Sequence, residues 1–255
     1  MELKTLNALV TGGASGLGLA SAARIVAAGG RAALLDVNQA QGSAAAASLG
    51  ERALFLQTDV TDEAAVNSAV EAARAHMGRI DAAVSCAGIA TPARLVGKQG
   101  PMPGAFFRRM IEINLVGTVL VAKAAAVAMQ ANAPNAKGER GVIVMTASVA
   151  AYDGQIGQVA YSASKGAIVG MTLPMARELA SSGIRVVTIA PGLFATPMMK
   201  VLPQEAQDSL GKQTPFPPRL GDPSEYADLV AQIVENTMLN GETIRLDGAI
   251  RMQPR

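Results

Sequence analysis

The stretch Leu6-Asn-Ala-Leu-Val-Thr-Gly-Gly-Ala-Ser-Gly-Leu-Gly18 decides the fold of this 255-residue chain. A short apolar strand runs into a glycine loop, and residues 19–28 have the Ala-rich pattern of a helix. Backbone N–H groups of such a loop, and the N-terminus of the helix after it, bind a pyrophosphate. Gly12, Gly16 and Gly18 would permit the tight turn, the approach of the phosphates and the packing of helix on strand. A lone glycine triplet is equally typical of an ordinary loop, so the following residues must decide.

An acidic residue follows the second predicted strand. Residues 31–35 form an apolar strand that ends at Asp36, eighteen residues after Gly18. A carboxylate at that distance reaches the adenosine ribose hydroxyls of a dinucleotide. It also repels a 2′-phosphate, and neither Ala14 nor Ser15 supplies the basic group that such a phosphate needs. The two motifs together predict NAD rather than NADP.

Strands and helices alternate along the rest of the chain. Further strands are predicted at 53–57, 80–85, 141–146, 184–190 and 243–246, and helices at 38–49, 61–77, 106–130, 159–181 and 223–235. Short connections between such elements indicate a parallel sheet covered on both faces. The sequence therefore predicts an α/β fold, a Rossmann-type doubly wound parallel sheet. No shift of composition, linker or repeat marks a second domain, so residues 1–255 are expected to form one dinucleotide-binding and catalytic domain.

Five positions stand at the predicted carboxyl ends of strands. Ligands of parallel sheets bind beyond these ends, so the convergence predicts one site along that edge. Asp59 could cap the next helix or accept a hydrogen bond from an adenine amino group, and both roles are compatible with Thr61 as the cap. The five positions are Thr11, Asp36, Asp59, Cys86 and Ser148.

Tyr161 and Lys165 are four residues apart, on one face of a predicted helix, and Ser148 lies thirteen residues before Tyr161. A phenol with a pKa of about 10 is a poor base at neutral pH, and a nearby ammonium is expected to lower that pKa. Ser148 would hydrogen-bond the substrate oxygen, and Lys165 could also hold the hydroxyls of a cofactor ribose. The Tyr-x-x-x-Lys spacing alone is typical of a solvated surface pair. With Ser148 and the glycine loop, it predicts a proton-transfer site.

Two segments are longer than ordinary connections. Residues 90–104 hold three prolines and Lys98, and form either a disordered insertion or part of a substrate site. Residues 194–218, called the lid below, contain five prolines after position 196. We expect this lid to cover the active site and exclude water; the alternative is a surface subdomain that only packs. Its expected apolar underside consists of Met198, Met199, Leu202, Leu210 and Phe216.

Composition narrows the function classes. The net charge is +2 without a Lys/Arg-rich run, which argues against nucleic acid as a partner. A single Cys86 and a single His76, expected at the surface, cannot form a disulfide or a Cys/His zinc site, and no metal is predicted. No signal-like segment and no run of about 20 apolar residues suggests a membrane. We expect a soluble, cytoplasmic protein.

Across nearly its whole length the chain resembles the short-chain dehydrogenase/reductase family. The stretches 146–151, 160–166, 189–194 and 244–254 are similar to members that act on 3-hydroxyacyl-CoA. Cys86 stands where many members have Asn, and residues 90–104 resemble a lengthened loop of that group but differ from it in sequence. The family's motifs, in its order and spacing, are the glycine loop 11–18, Asp59-Val60, Cys86-Ala87-Gly88, Asn114, Ser148, Tyr161-x-x-x-Lys165 and Pro191-Gly192.

The resemblance implies an oxidoreductase of fatty acid metabolism. It would transfer a hydride between NAD and the 3-hydroxy/3-keto carbon of an L-3-hydroxyacyl-CoA, in a homotetramer. Ser148, Tyr161 and Lys165 would be catalytic, and Asn114 would support a water-linked proton path through Lys165. The glycine loop and the resemblance together give as cofactor-binding residues Gly12, Ser15, Gly16, Leu17, Gly18, Asp36, Asp59, Val60, Cys86, Ala87, Gly88, Tyr161, Lys165, Pro191, Gly192, Phe194 and Thr196.

Two other functions stay open at this point. One is NAD-dependent oxidation of another secondary alcohol, such as a hydroxysteroid, since an apolar lid would accept either substrate. The other is a non-catalytic NAD-binding module. The complete Ser148, Tyr161 and Lys165 set argues against such a module, because a protein that only binds the cofactor does not need a proton-transfer pair.

Overall fold

A computed structural model describes residues 1–98, 100–200 and 203–254 of the chain. The strands are β1 Asn7–Thr11, β2 Arg31–Asp36, β3 Ala53–Gln57, β4 Ala82–Ser85, β5 Val96–Gly97, β6 Gly100–Pro101, β7 Gly141–Thr146, β8 Ile184–Pro191 and β9 Thr243–Leu246. The helices are α1 Gly16–Ala27, α2 Gln39–Leu49, α3 Glu63–Met77, α4 Gly104–Ile111, α5 Gly117–Gln130, α6 Val159–Leu179, α7 Pro197–Lys200, α8 Gln204–Gly211 and α9 Pro223–Glu235.

Seven of the strands form one parallel sheet in the order β3-β2-β1-β4-β7-β8-β9. The chain first builds outward from β1 to β3 and then crosses to β4 on the other side of β1. Thr11, the last residue of β1, therefore lies between Leu35 of β2 and Ser85 of β4. The crevice beyond such a reversal of strand order is the usual ligand site of an open α/β sheet. The predicted Rossmann-type fold is confirmed.

Helices cover both faces of the sheet, which explains why its central strands are continuous apolar runs. Residues Ala8, Leu9 and Val10 of β1 are fully buried, with alternate side chains in two separate cores. Leu9 joins the core that includes α3, α5 and α6, and Val10 joins the core that includes α1 and α9. With both faces closed, the carboxyl edge of the sheet is left for a ligand.

The predicted helix at 106–130 is divided in the structure. A π-helical turn, Glu112–Val116, separates α4 from α5. The segment Gly104–Gln130 is long and apolar enough to cross a membrane, but half of its most apolar window is buried inside the fold. A core helix of a soluble protein meets the same criterion, so this segment is weak evidence for a membrane span.

The insertion 90–104 contains a short antiparallel hairpin of β5 and β6. At its base, the backbone N–H of Ala93 donates to the carbonyl oxygen of Gly157 at 2.8 Å. Gly157 precedes α6, the helix that carries Tyr161 and Lys165. The structure therefore places this insertion beside the catalytic helix.

Candidate active site

The glycine loop between β1 and α1 closes tightly on its neighbours. Gly12 has φ +63°, and a Cβ atom there would lie 3.0 Å from the backbone of Cys86 and Ala87. A Cβ atom on Gly18 would stand only 2.3 Å from the carbonyl oxygen of Gly12. Ser15, at the N-cap of α1, makes no side-chain capping hydrogen bond, so its hydroxyl does not occupy the first N–H groups of the helix. The loop has the backbone surface and uncapped helix end that suit a pyrophosphate.

Asp36 lies beside this loop at the end of β2. Its Oδ2 accepts a hydrogen bond from the N–H of Ala14 at 3.2 Å, and its Oδ1 accepts one from the N–H of Asn38 at 3.0 Å. The carboxylate is only partly buried. The second strand thus delivers a negative charge next to the predicted phosphate loop, where the sequence predicts contact with a ribose.

The sequence interpretation of the next strand end needs one correction. Asp62, rather than Asp59 or Thr61, caps α3 by accepting hydrogen bonds from two N–H groups of its first turn. Asp59 instead accepts from the N–H and the hydroxyl of Thr61, at 2.9 and 2.8 Å. Two aspartates compete for this helix end, and the one three residues further along has the N-cap geometry. Val60 is buried against Gly117 at the start of α5.

The end of β4 lies between the glycine loop and the catalytic helix. The hydroxyl oxygen of Thr11 accepts hydrogen bonds from the N–H groups of Cys86 and Ala87, each at 3.1 Å. A Cβ atom on Gly88 would stand 3.1 Å from Asn114 Oδ1 and 3.7 Å from Lys165 Nζ. A side chain here would require the Asn114 amide to shift by a few tenths of an ångström. The Cys86-Ala87-Gly88 motif is therefore the backbone link between the two predicted halves of the site.

Ser148, Tyr161 and Lys165 come together at the end of β7 and on the first turns of α6. The Oγ of Ser148 accepts a hydrogen bond from the N–H of Ala150 at 3.1 Å, and the residue is 8% exposed. Lys165 Nζ donates to the carbonyl oxygen of Thr146 at 2.7 Å and lies 5.8 Å from the centroid of the Tyr161 ring. The predicted proton-transfer group is thus assembled in one corner of the fold, where Ser148 and Lys165 are buried and Tyr161 is partly buried.

The pKa values in this corner differ from the sequence expectation. Burial lowers the pKa of Lys165 to about 8. Burial also raises the pKa of Tyr161, and the neighbouring Ser148 side chain opposes that rise only in part. The expected lowering of the Tyr161 pKa by Lys165 is not observed, because the ammonium is bonded to the Thr146 carbonyl oxygen and the phenol is desolvated. Tyr161 is therefore a neutral phenol at pH 7, the form that can give a proton.

Asn114 occupies the π-helical turn between α4 and α5 and is fully buried. Its Oδ1 accepts from the N–H of Ile89 at 2.8 Å, while its Nδ2 donates to the Ile89 carbonyl oxygen at 2.9 Å and to Ser164 Oγ at 3.1 Å. The amide joins the segment after Gly88 to the helix of Tyr161 and Lys165. This contact set supports a positioning role, and the predicted water-linked proton path stays a prediction.

The chain after β8 passes over the glycine loop. The side chains of Thr196 and Pro197 would lie within 3.5 Å of a Cβ atom on Gly16. Phe194 is buried, and its ring packs where a Cβ atom of Gly221 would be. Of the lid's expected apolar underside, Phe216 is 79% exposed, and Leu202 and the side chain of Met198 lie outside the described residues.

Two residues of this region were missed by sequence reasoning. Thr146 supplies the carbonyl oxygen that holds Lys165, and its hydroxyl lies 2.7 Å from the hydroxyl of Tyr226 on α9. Cys86 Sγ lies 3.7 Å from the same Tyr226 hydroxyl. Burial raises the pKa of the Cys86 thiol, which keeps it neutral. No local motif could have shown the Thr146–Tyr226 contact, because the two residues are 80 positions apart.

Comparisons with known proteins agree with this geometry. A family model described as short chain dehydrogenase matches residues 6–207. The chain is 54% identical over 255 residues to 3-hydroxyacyl-CoA dehydrogenase type-2 of Bos taurus and of Homo sapiens, covering 99% of this chain and 98% of each relative. The crystal structure of 3-hydroxyacyl-CoA dehydrogenase type-2 from Mycobacterium avium matches with a TM-score of 0.93 at 42% identity, over 99% of both chains. A 3-ketoacyl-(acyl-carrier-protein) reductase from Brucella melitensis complexed with NADH matches with a TM-score of 0.85 at 28% identity, over 96% of this chain and 98% of that one.

Proposed function

The chain belongs to the short-chain dehydrogenase family, and from that premise we propose that it is an NAD-dependent L-3-hydroxyacyl-CoA dehydrogenase. It would interconvert the 3-hydroxy and 3-keto forms of an acyl-CoA, an activity of fatty acid metabolism. One observation carries the proposal: Ser148, Tyr161 and Lys165 share one largely buried corner next to a glycine loop suited to a nucleotide. The relatives at 54% identity are named for this reaction.

The chain's own residues would handle the proton and the substrate oxygen. Ser148 Oγ would hydrogen-bond that oxygen, and Tyr161 would give it a proton during reduction and remove one during oxidation. Lys165 stays largely protonated at pH 7, because its pKa of about 8 lies above that pH. Its charge would stabilise the phenolate left when Tyr161 gives up its proton once the ammonium turns from the Thr146 carbonyl oxygen toward the phenol oxygen. A nicotinamide nucleotide, when bound, supplies the hydride chemistry.

Asp36 is the main support for NAD over NADP. Its carboxylate is bonded to the N–H of Ala14 in the glycine loop, so a 2′-phosphate at the adenosine end would meet a negative charge. The family membership and the Brucella melitensis relative complexed with NADH support a nicotinamide cofactor in general. Comparing the Kd of NADH with that of NADPH tests the preference directly.

Charge on the insertion favours an acyl-CoA over a steroid. Residues 82–111 contain no Asp or Glu and carry four cations, on and near the β5–β6 hairpin. Within the described ranges, none of the four pairs with a carboxylate. A CoA thioester brings phosphate groups that unpaired cations can bind, whereas a steroid brings none. The four cations are Arg94, Lys98, Arg108 and Arg109.

NADH oxidation with acetoacetyl-CoA tests the proposal. The double variant Arg94→Gln/Lys98→Gln should raise the KM for acetoacetyl-CoA about 5- to 30-fold, from roughly 0.5–1 kcal/mol for each lost contact. It should leave the KM for acetoacetyl-N-acetylcysteamine unchanged, because that thioester lacks the phosphates. Arg31→Gln, at the opposite edge of the sheet, is the matched control.

Two outcomes would contradict the proposal. One is a higher kcat/KM on a ketosteroid than on acetoacetyl-CoA, which would identify the alternative secondary-alcohol dehydrogenase. The other is tight NADH binding without turnover on any substrate of either class, which would indicate a module that only binds the nucleotide.

The proposal includes a homotetramer in the cytoplasm. The tetramer is supported by the apolar surface of α5 and α6, where Val119, Val127 and Leu173 are 38%, 66% and 44% exposed. Light scattering of the wild type should give the mass of four chains, and Val127→Glu should reduce it. Cell fractionation tests the location.

A further inference from the structure

The irregular segment 152–158 connects Ser148 to the helix of Tyr161, and we call it the Ser–Tyr connection. It exposes apolar side chains next to the catalytic corner, with Tyr152 48% and Ile156 47% exposed. Gly157 in this connection also accepts the hydrogen bond from the base of the insertion, at 2.8 Å. The Ser–Tyr connection is therefore placed to line a substrate site, although no helix or strand fixes its backbone.

Contacts with the C-terminal part of the chain hold this connection. Gln155 Nε2 donates to the carbonyl oxygen of Gln253 at 2.9 Å, and the N–H of Ile156 donates to that of Pro254 at 3.0 Å. Asp153 Oδ2 forms an ion pair with Arg245 of β9 at 2.6 Å. These residues are about 90 to 100 positions apart, so the connection depends on a tertiary contact for its position.

Arg245 is the centre of that contact. Besides Asp153, its guanidinium binds Asp247 Oδ2 at 2.7 Å and the carbonyl oxygen of Ile250 at 3.0 Å. It also lies 5.1 Å from the centroid of the Tyr152 ring. The Arg245 side chain is 21% exposed and that of Asp247 is 8% exposed, so solvent screens these contacts less than a surface ion pair.

Asp247 extends the same cluster toward the predicted cofactor residues. A Cβ atom on Gly192 would stand 2.9 Å from the Cβ of Asp247, and the N–H of Gly192 donates to Leu246 at 2.9 Å. Arg245 thus joins a residue packed against the Pro191-Gly192 motif to the connection that leads to Tyr161.

We propose that Arg245 is a positioning residue for the acyl substrate. Through Asp153 and the C-terminal residues it fixes the Ser–Tyr connection, whose exposed apolar side chains form one wall of the acyl-binding site. Arg245 does not touch the reacting atoms. The identity of the substrate rests on the proposed function; the role of Arg245 does not.

The test separates substrate binding from chemistry. Arg245→Met keeps an apolar stem and removes the guanidinium, and should raise the KM for acetoacetyl-CoA about 5- to 30-fold with less than a threefold change in kcat. The Kd of NADH, measured by fluorescence, should change less than threefold, because Asp247 beside Gly192 keeps its contacts with Arg251 and with the N–H of Ala249. The KM of Arg245→Lys should lie between those of Arg245→Met and the wild type, because an ammonium keeps the positive charge but lacks the planar set of guanidinium donors.

Asp153→Asn is a second variant. It removes the negative charge of the Ser–Tyr connection from the ion pair and leaves Arg245 unchanged. It should raise the KM in the wild-type background and add little to Arg245→Met, as expected for two residues that act as one unit. Arg24→Met is the matched control, since it breaks the Arg24–Asp228 pair of 2.9 Å between α1 and α9. Its KM should equal that of the wild type.

Wild-type KM in Arg245→Met, with only a lower Tm, would overturn the proposal. If Arg245→Met fails to fold, wild-type KM in Asp153→Asn would overturn it as well. A failure of the proposed function is distinguishable, because the wild type would then turn over a different secondary alcohol. The same KM comparison on that alcohol would still test Arg245.

Discussion

Replacing Lys165 with Met should make the protein more stable while removing its activity. Lys165 is 5% exposed, and burial lowers its pKa from the ordinary 10.5 to about 8. The folded chain therefore holds a charged ammonium at neutral pH in a place that disfavours the charge. A methionine of similar length fills the same space without that charge.

The size of the effect follows from the two pKa values. A shift of about 2.5 units at ~1.36 kcal/mol per unit is a penalty of about 3 kcal/mol at pH 7. Lys165→Met removes this penalty but also loses the hydrogen bond to the Thr146 carbonyl oxygen, which contributes about 1 kcal/mol. The net increase in the free energy of unfolding is therefore about 2 kcal/mol. Because the folded pKa is the lower one, the unfolded chain binds more protons between pH 8 and 10.5. The penalty is complete below pH 8 and fades as the pH rises through that window.

Urea unfolding without nucleotide, at equal protein concentration, measures this difference. The free energy of unfolding of Lys165→Met should exceed that of the wild type at pH 7, and the difference should fall by about 2 kcal/mol by pH 9.5. Lys123→Met is the control, because the Lys123 side chain is 52% exposed and pairs with Glu63 at the surface. A variant less stable than the wild type at pH 7, or a difference that is constant with pH, would refute the reasoning.

Three further outcomes are expected. Tyr161→Phe should lower kcat about 10²- to 10⁴-fold with an unchanged Kd for NADH, since only the proton donor is lost; stopped-flow turnover at the wild-type level would contradict this. Asp36→Ala should weaken NADH binding and raise the ratio of NADPH to NADH use, and an unchanged ratio by steady-state kinetics would rule out its role. Gly18→Ala should weaken the binding of both nucleotides by more than tenfold, because its Cβ would lie 2.3 Å from the Gly12 carbonyl oxygen; unchanged calorimetric binding would show that the loop yields.

The sequence was sufficient wherever a local pattern dictates the structure. Three elements have the bounds that the sequence predicts, because each combines an apolar run with a clear start signal or turn. They are the strands Ala53–Gln57 and Gly141–Thr146 and the helix Pro223–Glu235. The Pro223 start is reinforced by a capping box of Asp222 and Glu225. His76 is exposed, as predicted.

What the sequence could not provide depends on contacts between distant residues. The pKa of Tyr161 rises because the fold buries the phenol, and Lys165 donates to the Thr146 carbonyl oxygen. A spacing of four residues shows neither the burial nor the direction of the ammonium. The ion pair of Arg245 and Asp153 has no local sequence signal, because it forms only when β9 pairs with β8. Side-chain spacing predicts which residues share a helix face. It does not predict which backbone carbonyl oxygen accepts their hydrogen bonds.

The π-helical turn Glu112–Val116 determines how the segment from α4 to α5 responds to a change in its length. An α-helix rotates ~100° per residue, and a π turn accommodates one extra residue without breaking the helix. Removing one residue here would convert the turn to ordinary α-helix and leave α4 nearly in register with α5, but it would displace the residues of the turn itself. The Asn114 amide would then leave Ile89 and Ser164, so a single deletion at this point would loosen the active site while preserving the helical content.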